Sequence, residues 1–382
     1  MVGSILVSAG EASGDLYAAM LVEELRRMWP QARYFGVAGP RLAAAGVEPV
    51  VDARDLAVVG LVEVLAHIPR IYRRYRTLLA AARERRPRLA ILTDAPDFHL
   101  PLARRLARQG VPVVQLVAPQ VWAWRRGRIK RMRRDLRGLL CIFPFEEQFF
   151  ADQGLKATYI GHPLSRVVAP ETSRAEFFRK HRLPLERPMV AVLPGSRRME
   201  AARHLPVLVD AVERMYREQA ASFVLAAAPA TGAEFLRQRI GGAPIQVVEG
   251  ETWDAIAHAD LALAASGTVT VEAALLGTPM VAFYKVAPLS WLAGKFLVRV
   301  PFYSMVNVIA GRPLIPELMQ SEMTGPRLAA EALRLLRDPE ARGRMKEGLS
   351  EVRRRLSGKQ EPMRAAAEAV RELMEGQKAH VA

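Results

Sequence analysis

Asp94-Ala95-Pro96-Asp97-Phe98-His99 sets two carboxylates and an imidazole within six residues, directly after the apolar run at 89–93. Groups of that kind suit proton transfer, one of them drawing a proton from a hydroxyl as a leaving group departs elsewhere. The plainer reading is that Asp94 or Asp97 caps the helix that follows. Gly10-Glu11-Ala12-Ser13-Gly14-Asp15 is a second such segment, between the apolar run at 4–8 and a helical pattern over about 15–28. Its glycines permit close backbone approach and a helix N-terminus attracts anions; a tight connection capped by Ser13 is the alternative. Neither glycine-bearing turn of the chain has the G-x-G-x-x-G spacing of dinucleotide binders, which disfavours a dinucleotide-dependent oxidoreductase.

Two further turns offer anion-ready groups. Leu193-Pro194-Gly195-Ser196-Arg197-Arg198 repeats the order of strand, glycine, hydroxyl and cation, and Arg197 can grip a phosphate through two parallel N–H bonds. In Ala265-Ser266-Gly267-Thr268-Val269-Thr270-Val271-Glu272, backbone N–H groups and hydroxyls meet at a helix start. Glu272, one turn further on, can accept hydrogen bonds from two ribose hydroxyls. The competing reading makes Ser266 and Thr268 simple caps and Glu272 a solvated helix residue.

These turns need strands to aim them. Short apolar runs at 4–8, 34–37, 89–93, 113–117 and 139–143 alternate with Arg-rich amphipathic stretches, and a second series runs through 189–193, 222–227, 245–248, 261–264 and 279–283. Strands that alternate with helix-length segments predict parallel, doubly wound α/β sheets, in which ligands bind outside the carboxyl ends of the strands. The pattern is interrupted around Gly161-His162-Pro163-Leu164. We expect an N-terminal domain over 1–165, a second over 166–340, and C-terminal helices over 341–382; the helix-forming stretch from Pro326 to about Lys378 has breaks near Pro339 and Gly358. A chain of 382 residues accommodates two cores.

Composition narrows the class. Hydrophobic residues make up 51% and charged residues 25%, which argues against wholesale disorder. No apolar run approaches a membrane span, and the start Met1-Val2-Gly3-Ser4-Ile5-Leu6-Val7 reads as a buried strand, so a cytoplasmic location is expected. The one cysteine, Cys141, lies in an apolar run and reads as a small buried hydrophobe. A formal charge of +16 calls for polyanionic company: nucleic acid, an anionic leaflet or phosphorylated substrates. Segment 61–88 mixes Leu, Ile and Tyr with dense Arg. Trp122-Ala123-Trp124 precedes Arg125, Arg126, Arg128, Lys130, Arg131, Arg133 and Arg134. Apolar anchors beside cations suit an anionic lipid surface; a solvated basic face or a nucleic-acid groove would share the pattern.

Ser8-Ala9-Gly10-Glu11-Ala12-Ser13-Gly14-Asp15 resembles the opening signature of the lipid-A-disaccharide synthase family, bacterial glycosyltransferases with the GT-B fold of two Rossmann-like domains facing a cleft. The resemblance continues through Asp94-Ala95-Pro96-Asp97-Phe98, Val121-Trp122-Ala123-Trp124, Phe143-Pro144-Phe145-Glu146, Gly161-His162-Pro163-Leu164, Leu193-Pro194-Gly195-Ser196-Arg197 and Ser266-Gly267-Thr268. It implies inverting transfer of 2,3-diacylglucosamine from UDP-2,3-diacylglucosamine to the 6-hydroxyl of 2,3-diacylglucosamine 1-phosphate, without metal or cofactor. It implies Asp97 as base, with Glu11 and Asp94 in reserve. UDP-sugar contacts are expected from Ser13, Gly195, Ser196, Arg197, Ser266, Gly267, Thr268, Glu272, Asn307, Glu317 and Gln320. The C-terminal helices are expected to pack across both domains. The implied setting is the cytoplasmic face of the inner membrane, held peripherally, with a homodimer compatible and no nucleic acid. The rival readings are another GT-B enzyme of UDP-N-acetylglucosamine, either the 2-epimerase or the lipid II transferase, and a basic nucleic-acid-binding protein. His99 and Val269-Thr270 depart from the family pattern, and His99 is expected to affect pH dependence.

Overall fold

The computed structural model describes residues 3–56, 61–287 and 300–375, the stretch 61–68 by its backbone alone. Two parallel sheets organise the chain. The first contains β1 (Ser4–Ala9), β2 (Arg33–Ala38), β3 (Val47–Asp52), β4 (Leu89–Thr93), β5 (Val113–Leu116), β6 (Gly138–Cys141) and β7 (Ala157–Tyr159), in the order β3-β2-β1-β4-β5-β6-β7. The second contains β8 (Met189–Leu193), β9 (Ser222–Ala227), β10 (Gln246–Glu249), β11 (Leu261–Ala265), β12 (Met280–Tyr284) and β13 (Glu317–Met319), in the order β10-β9-β8-β11-β12-β13. Every residue of β4, β8 and β11 is buried, because helices cover both faces of a parallel sheet and its central strands must be apolar throughout. The strands without an apolar run in the sequence, β3, β7 and β13, all lie at sheet edges.

The chain divides into two compact units. One holds the residues up to Pro163 and again from Leu356; the other is Leu164–Arg355. The core of the first is built around Phe35, Phe150 and Leu78, and that of the second around Phe177, Phe178 and Phe283. Cys141 is fully buried, and burial pushes its thiol pKa upward. Most of segment 61–88 is a single helix, Leu61–Arg85. Leu78, Leu79 and Ala82 enter the first core while Tyr72 is exposed; the side chains of 61–68 lie outside the described residues. The C-terminal region forms helices Gly325–Arg337, Pro339–Ser357 and Pro362–Glu375. The last packs in the first unit on the helix Ala12–Met28, and Leu373 fills the space above Gly138 of β6. Residues 376–382 lie outside the described range. Among the described residues no helix is long and apolar enough to cross a membrane.

In each sheet the direction of winding reverses once, between β1 and β4 and between β8 and β11. Successive helices leave those neighbours toward opposite faces, so the loops beyond their carboxyl ends part and open a crevice. The loops there are 10–11 and 94–95 in the first unit, and 194–197 and 266–267 in the second. Topology therefore brings the four turns singled out in the sequence to the two switch points.

Candidate active site

In the first unit the switch point is held by Asp94. Its Oδ1 accepts the Gly10 N–H at 2.8 Å and its Oδ2 the Glu11 N–H at 3.1 Å. A β-carbon on Gly14 would stand 1.6 Å from Asp94 Oδ2, so only glycine lets the helix start come this close. Burial pushes the Asp94 carboxyl up to about 8, against the two N–H donors that favour its ionised form. Asp94 and Ala95 both adopt left-handed backbone, and Ala95, without a side-chain cap, is the residue that precedes the helix Pro96–Arg108. Neither aspartate is its cap. The helix Ala12–Met28 likewise begins after Glu11, and not at Ser13, again with no side-chain cap bond.

His99 completes this framework. Its Nδ1 faces the Asp94 carbonyl oxygen at 2.9 Å and its Nε2 faces Ser8 Oγ at 2.7 Å. A carbonyl only accepts, so the proton sits on Nδ1 and Nε2 accepts the Ser8 hydroxyl hydrogen. The ring is fully buried, and burial pushes its pKa down to about 4. It is a neutral strut between β1 and β4. Asp15 is also committed: its carboxylate accepts N–H bonds from Gly39 at 2.7 Å and Arg41 at 2.9 Å, tying down the helix Pro40–Ala44. Of the opening octapeptide, Ser8, Gly10, Gly14 and Asp15 are thus accounted for by framework. The exposed Glu11 and half-buried Ser13 face a different demand.

Asp97 stands apart from that framework, with its side chain 72% exposed in the first turn of its helix. Arg125 Nη1 donates to its Oδ1 at 2.9 Å, and Arg128 donates to the same oxygen. Trp124 backs both guanidiniums, at 4.2 Å from Arg125 and 5.8 Å from Arg128. Arg125 adopts left-handed backbone, φ 57°, which costs a non-glycine residue roughly 1–2 kcal/mol. Exposed ion pairs return about 0–1 kcal/mol. Stability alone does not account for this cluster. Two arginines that the sequence assigns to a basic surface therefore meet the predicted base, and their distance along the chain gives no local signal of it. The Trp122-Ala123-Trp124 and Phe143-Pro144-Phe145-Glu146 segments meet similarly: Trp122 Nε1 donates to buried Glu146 at 3.1 Å, and the Phe143 N–H donates to its other oxygen at 3.2 Å. Burial pushes the Glu146 carboxyl up to about 8.

In the second unit Gly195 has φ +115°, and a β-carbon there would lie 2.4 Å from Glu200 Oε2, the atom that accepts the Arg197 N–H at 3.4 Å. Ser196 and Arg197 are exposed beyond that turn. His204, which nothing in the sequence singles out, braces it from below. Its Nδ1 donates to the Pro194 carbonyl at 2.8 Å and its Nε2 accepts the Lys285 N–H at 3.1 Å. Burial lowers its pKa. Each switch point thus rests on a buried neutral histidine whose Nδ1–H holds a carbonyl just past a central strand.

Gly267, and not Ser266 or Thr268, precedes the helix Thr268–Leu276 as its cap residue; Gly267 and Thr268 are exposed. Ser266 Oγ donates to the Tyr303 carbonyl at 3.1 Å. Glu317 accepts from the Tyr303 N–H at 2.9 Å, the Ser304 N–H at 2.9 Å, Ser304 Oγ at 2.7 Å and Asn307 Nδ2 at 2.8 Å. Asn307 is buried, and its amide also donates to the Ile315 carbonyl and accepts from the Leu314 and Ile315 N–H groups. That fills the amide's capacity of two donors and two acceptor positions. Ser266, Glu317 and Asn307 therefore form one continuous network. Gln320 joins the neighbouring β12 end, its N–H donating to the Tyr284 carbonyl at 2.8 Å. Glu272 lies elsewhere on its helix, accepting the Trp253 indole N–H at 3.0 Å, and burial raises its carboxyl pKa.

Comparison with known proteins gives this geometry a family. Likeness to solved structures shows the fold alone: the glycotransferase of kitacinnamycin aligns with a TM-score of 0.64 at 17% identity, over 98% of this chain and 99% of that one. The UDP-GlcNAc 2-epimerase from Neisseria meningitidis aligns with a TM-score of 0.63 at 11% identity, over 98% and 100%. The fold is that of GT-B glycosyltransferases, and it is shared with the epimerase, so it does not separate the two enzyme types. Sequence does. A protein of Solibacter usitatus (strain Ellin6076) named lipid-A-disaccharide synthase is 67% identical over 377 residues, 99% of each chain. The profile of the lipid-A-disaccharide synthetases matches residues 5–373, and the chain belongs to that family.

Proposed function

We propose that the chain transfers 2,3-diacylglucosamine from UDP-2,3-diacylglucosamine to the 6-hydroxyl of 2,3-diacylglucosamine 1-phosphate. The observation that carries this reading is the full-length identity to the Solibacter synthase. Asp97 accepts the proton of the acceptor hydroxyl. The hydroxyl oxygen bonds to the donor's anomeric carbon, the bond from that carbon to the β-phosphate oxygen breaks, and its electron pair leaves with UDP. Attack opposite the leaving group inverts the anomeric centre, and Asp97 returns the proton to solvent. Asp94 is a weaker candidate for the base, because both its oxygens hold backbone N–H groups; its role is positional.

Charge developing on the diphosphate is answered by Arg197, Ser196 and the N–H groups of Gly267 and Thr268, the Ser266 N–H being held by the Phe283 carbonyl at 2.8 Å. Glu272 holds the ribose. The saturated bonding of Asn307 and Glu317 supports a role in shaping the loop behind Ser266, with Gln320 doing the same beside Tyr284. The acylated substrates require lipid, and exposed Tyr72 beside exposed Arg73 and Arg76 supports a peripheral contact with an anionic leaflet.

Asp97→Asn should keep the wild-type affinity for UDP by calorimetry and lose about 10²–10⁴-fold in turnover, followed as UDP release and disaccharide formation in detergent. Near-normal turnover rejects the base. Absence of acceptor-dependent UDP release from the unaltered protein rejects the reaction.

A further inference from the structure

The pair Arg125 and Arg128 has more donors than Asp97 uses. A guanidinium carries five N–H groups, and each arginine commits one nitrogen to Asp97 Oδ1. Asp97 Oδ2 is engaged by neither. Among the described residues no other carboxylate pairs with either arginine. The Trp124 face fixes both planar groups, and Arg128 is only 15% exposed, so its fork is held in place before any ligand arrives. Two oriented guanidiniums side by side form a receptor for a dianionic, tetrahedral oxyanion, and a lysine would not reproduce it.

We infer that Arg125 and Arg128 bind the phosphomonoester of the acceptor and so set its sugar hydroxyl against Asp97 Oδ2. The inference rests on the transferase reading above and adds the acceptor's recognition element to it. A guanidinium interposed between carboxylate and phosphate keeps them about one sugar ring apart. That matches the span of a glucosamine unit whose hydroxyl at one end reacts while its phosphate sits at the other. The arginines thereby serve two ends of one substrate: they orient the base through Oδ1 and anchor the group that brings the hydroxyl to Oδ2.

The test compares kcat/KM for two acceptors, 2,3-diacylglucosamine 1-phosphate and the same sugar without phosphate, in detergent micelles. The unaltered protein should prefer the phosphorylated acceptor by about 10–100-fold. In Arg125→Gln/Arg128→Gln the preference should shrink to within about twofold, while UDP affinity, which reports an intact second unit, stays the same. Arg125→Lys/Arg128→Lys should retain an intermediate preference, and serves if the neutral pair does not fold. A full preference persisting in either double variant overturns the inference, as does an unaltered protein that takes both acceptors equally well. If the unaltered protein makes disaccharide from neither acceptor, the transferase reading fails along with it.

Discussion

Gly14 is the residue on which the first switch point turns, since its missing β-carbon leaves room for the Asp94 carboxylate. Gly14→Ala should destabilise the fold by about 1–3 kcal/mol through overpacking, measured by urea denaturation. Asp94→Ala removes the atoms that the new methyl meets, so the double variant should lose clearly less than the sum of the two single losses. Simple additivity would break the proposed link. The sequence makes the glycines, Asp94 and Asp97 legible because each sits beside a strand end in a compact motif. It hides what they do. Asp97 meets Arg125 and Arg128 from 28 and 31 residues away, and His204 reaches Pro194 and Lys285 from inside a long helix; neither arrangement leaves a periodic or local trace. His99, noticed as a departure with consequences for pH dependence, proves to be a buried neutral strut.

Among the elements, the short helix Met305–Ala310 depends on Glu317 at the start of β13, whose carboxylate collects the N–H groups of Tyr303 and Ser304. Glu317→Gln places N–H donors against N–H donors. It should cost about 1.5–3 kcal/mol and speed amide hydrogen exchange over 303–310; exchange no faster than in the unaltered protein would count against this anchoring. UDP affinity should fall as well, because Ser266 leans on the Tyr303 carbonyl that the same segment carries. Central strands are readable in the sequence as unbroken apolar runs, since both their faces are covered. The edge strands β3, β7 and β13 are not: β7 is half-buried at every position and β3 is mixed, so no run or strict alternation marks them.

Over the whole molecule, buried groups set an opposed pair of pH trends. Asp94 and Glu146, raised to about 8, keep protons in the fold that the unfolded chain releases near 3.8 and 4.5. Their contribution to stability is greatest in acid and falls as pH rises toward 8. His99 and His162, lowered to about 4 and about 3, and His204, also lowered, stay neutral where the unfolded chain charges them near 6.5. Their contribution is present above about 6.5 and is lost as pH falls. Above 6.5 the histidines are neutral in both states and add no trend, so the raised carboxyls, Glu272 with them, act alone. Tm should therefore decline from pH 6.5 toward 8, and Glu146→Gln should flatten the decline. A Tm that climbs steadily from 6.5 to 8 would contradict this balance. The path of the chain between its units has a consequence for synthesis. The first unit is left at Pro163 and re-entered at Leu356, so its sheet is complete long before its last helix, Pro362–Glu375, leaves the ribosome. At about 5–20 residues per second, the surface of the helix Ala12–Met28 that this segment covers waits roughly ten to forty seconds in a nascent chain. The first unit is the first to be made and the last to be finished, and that interval is when a chaperone would find it.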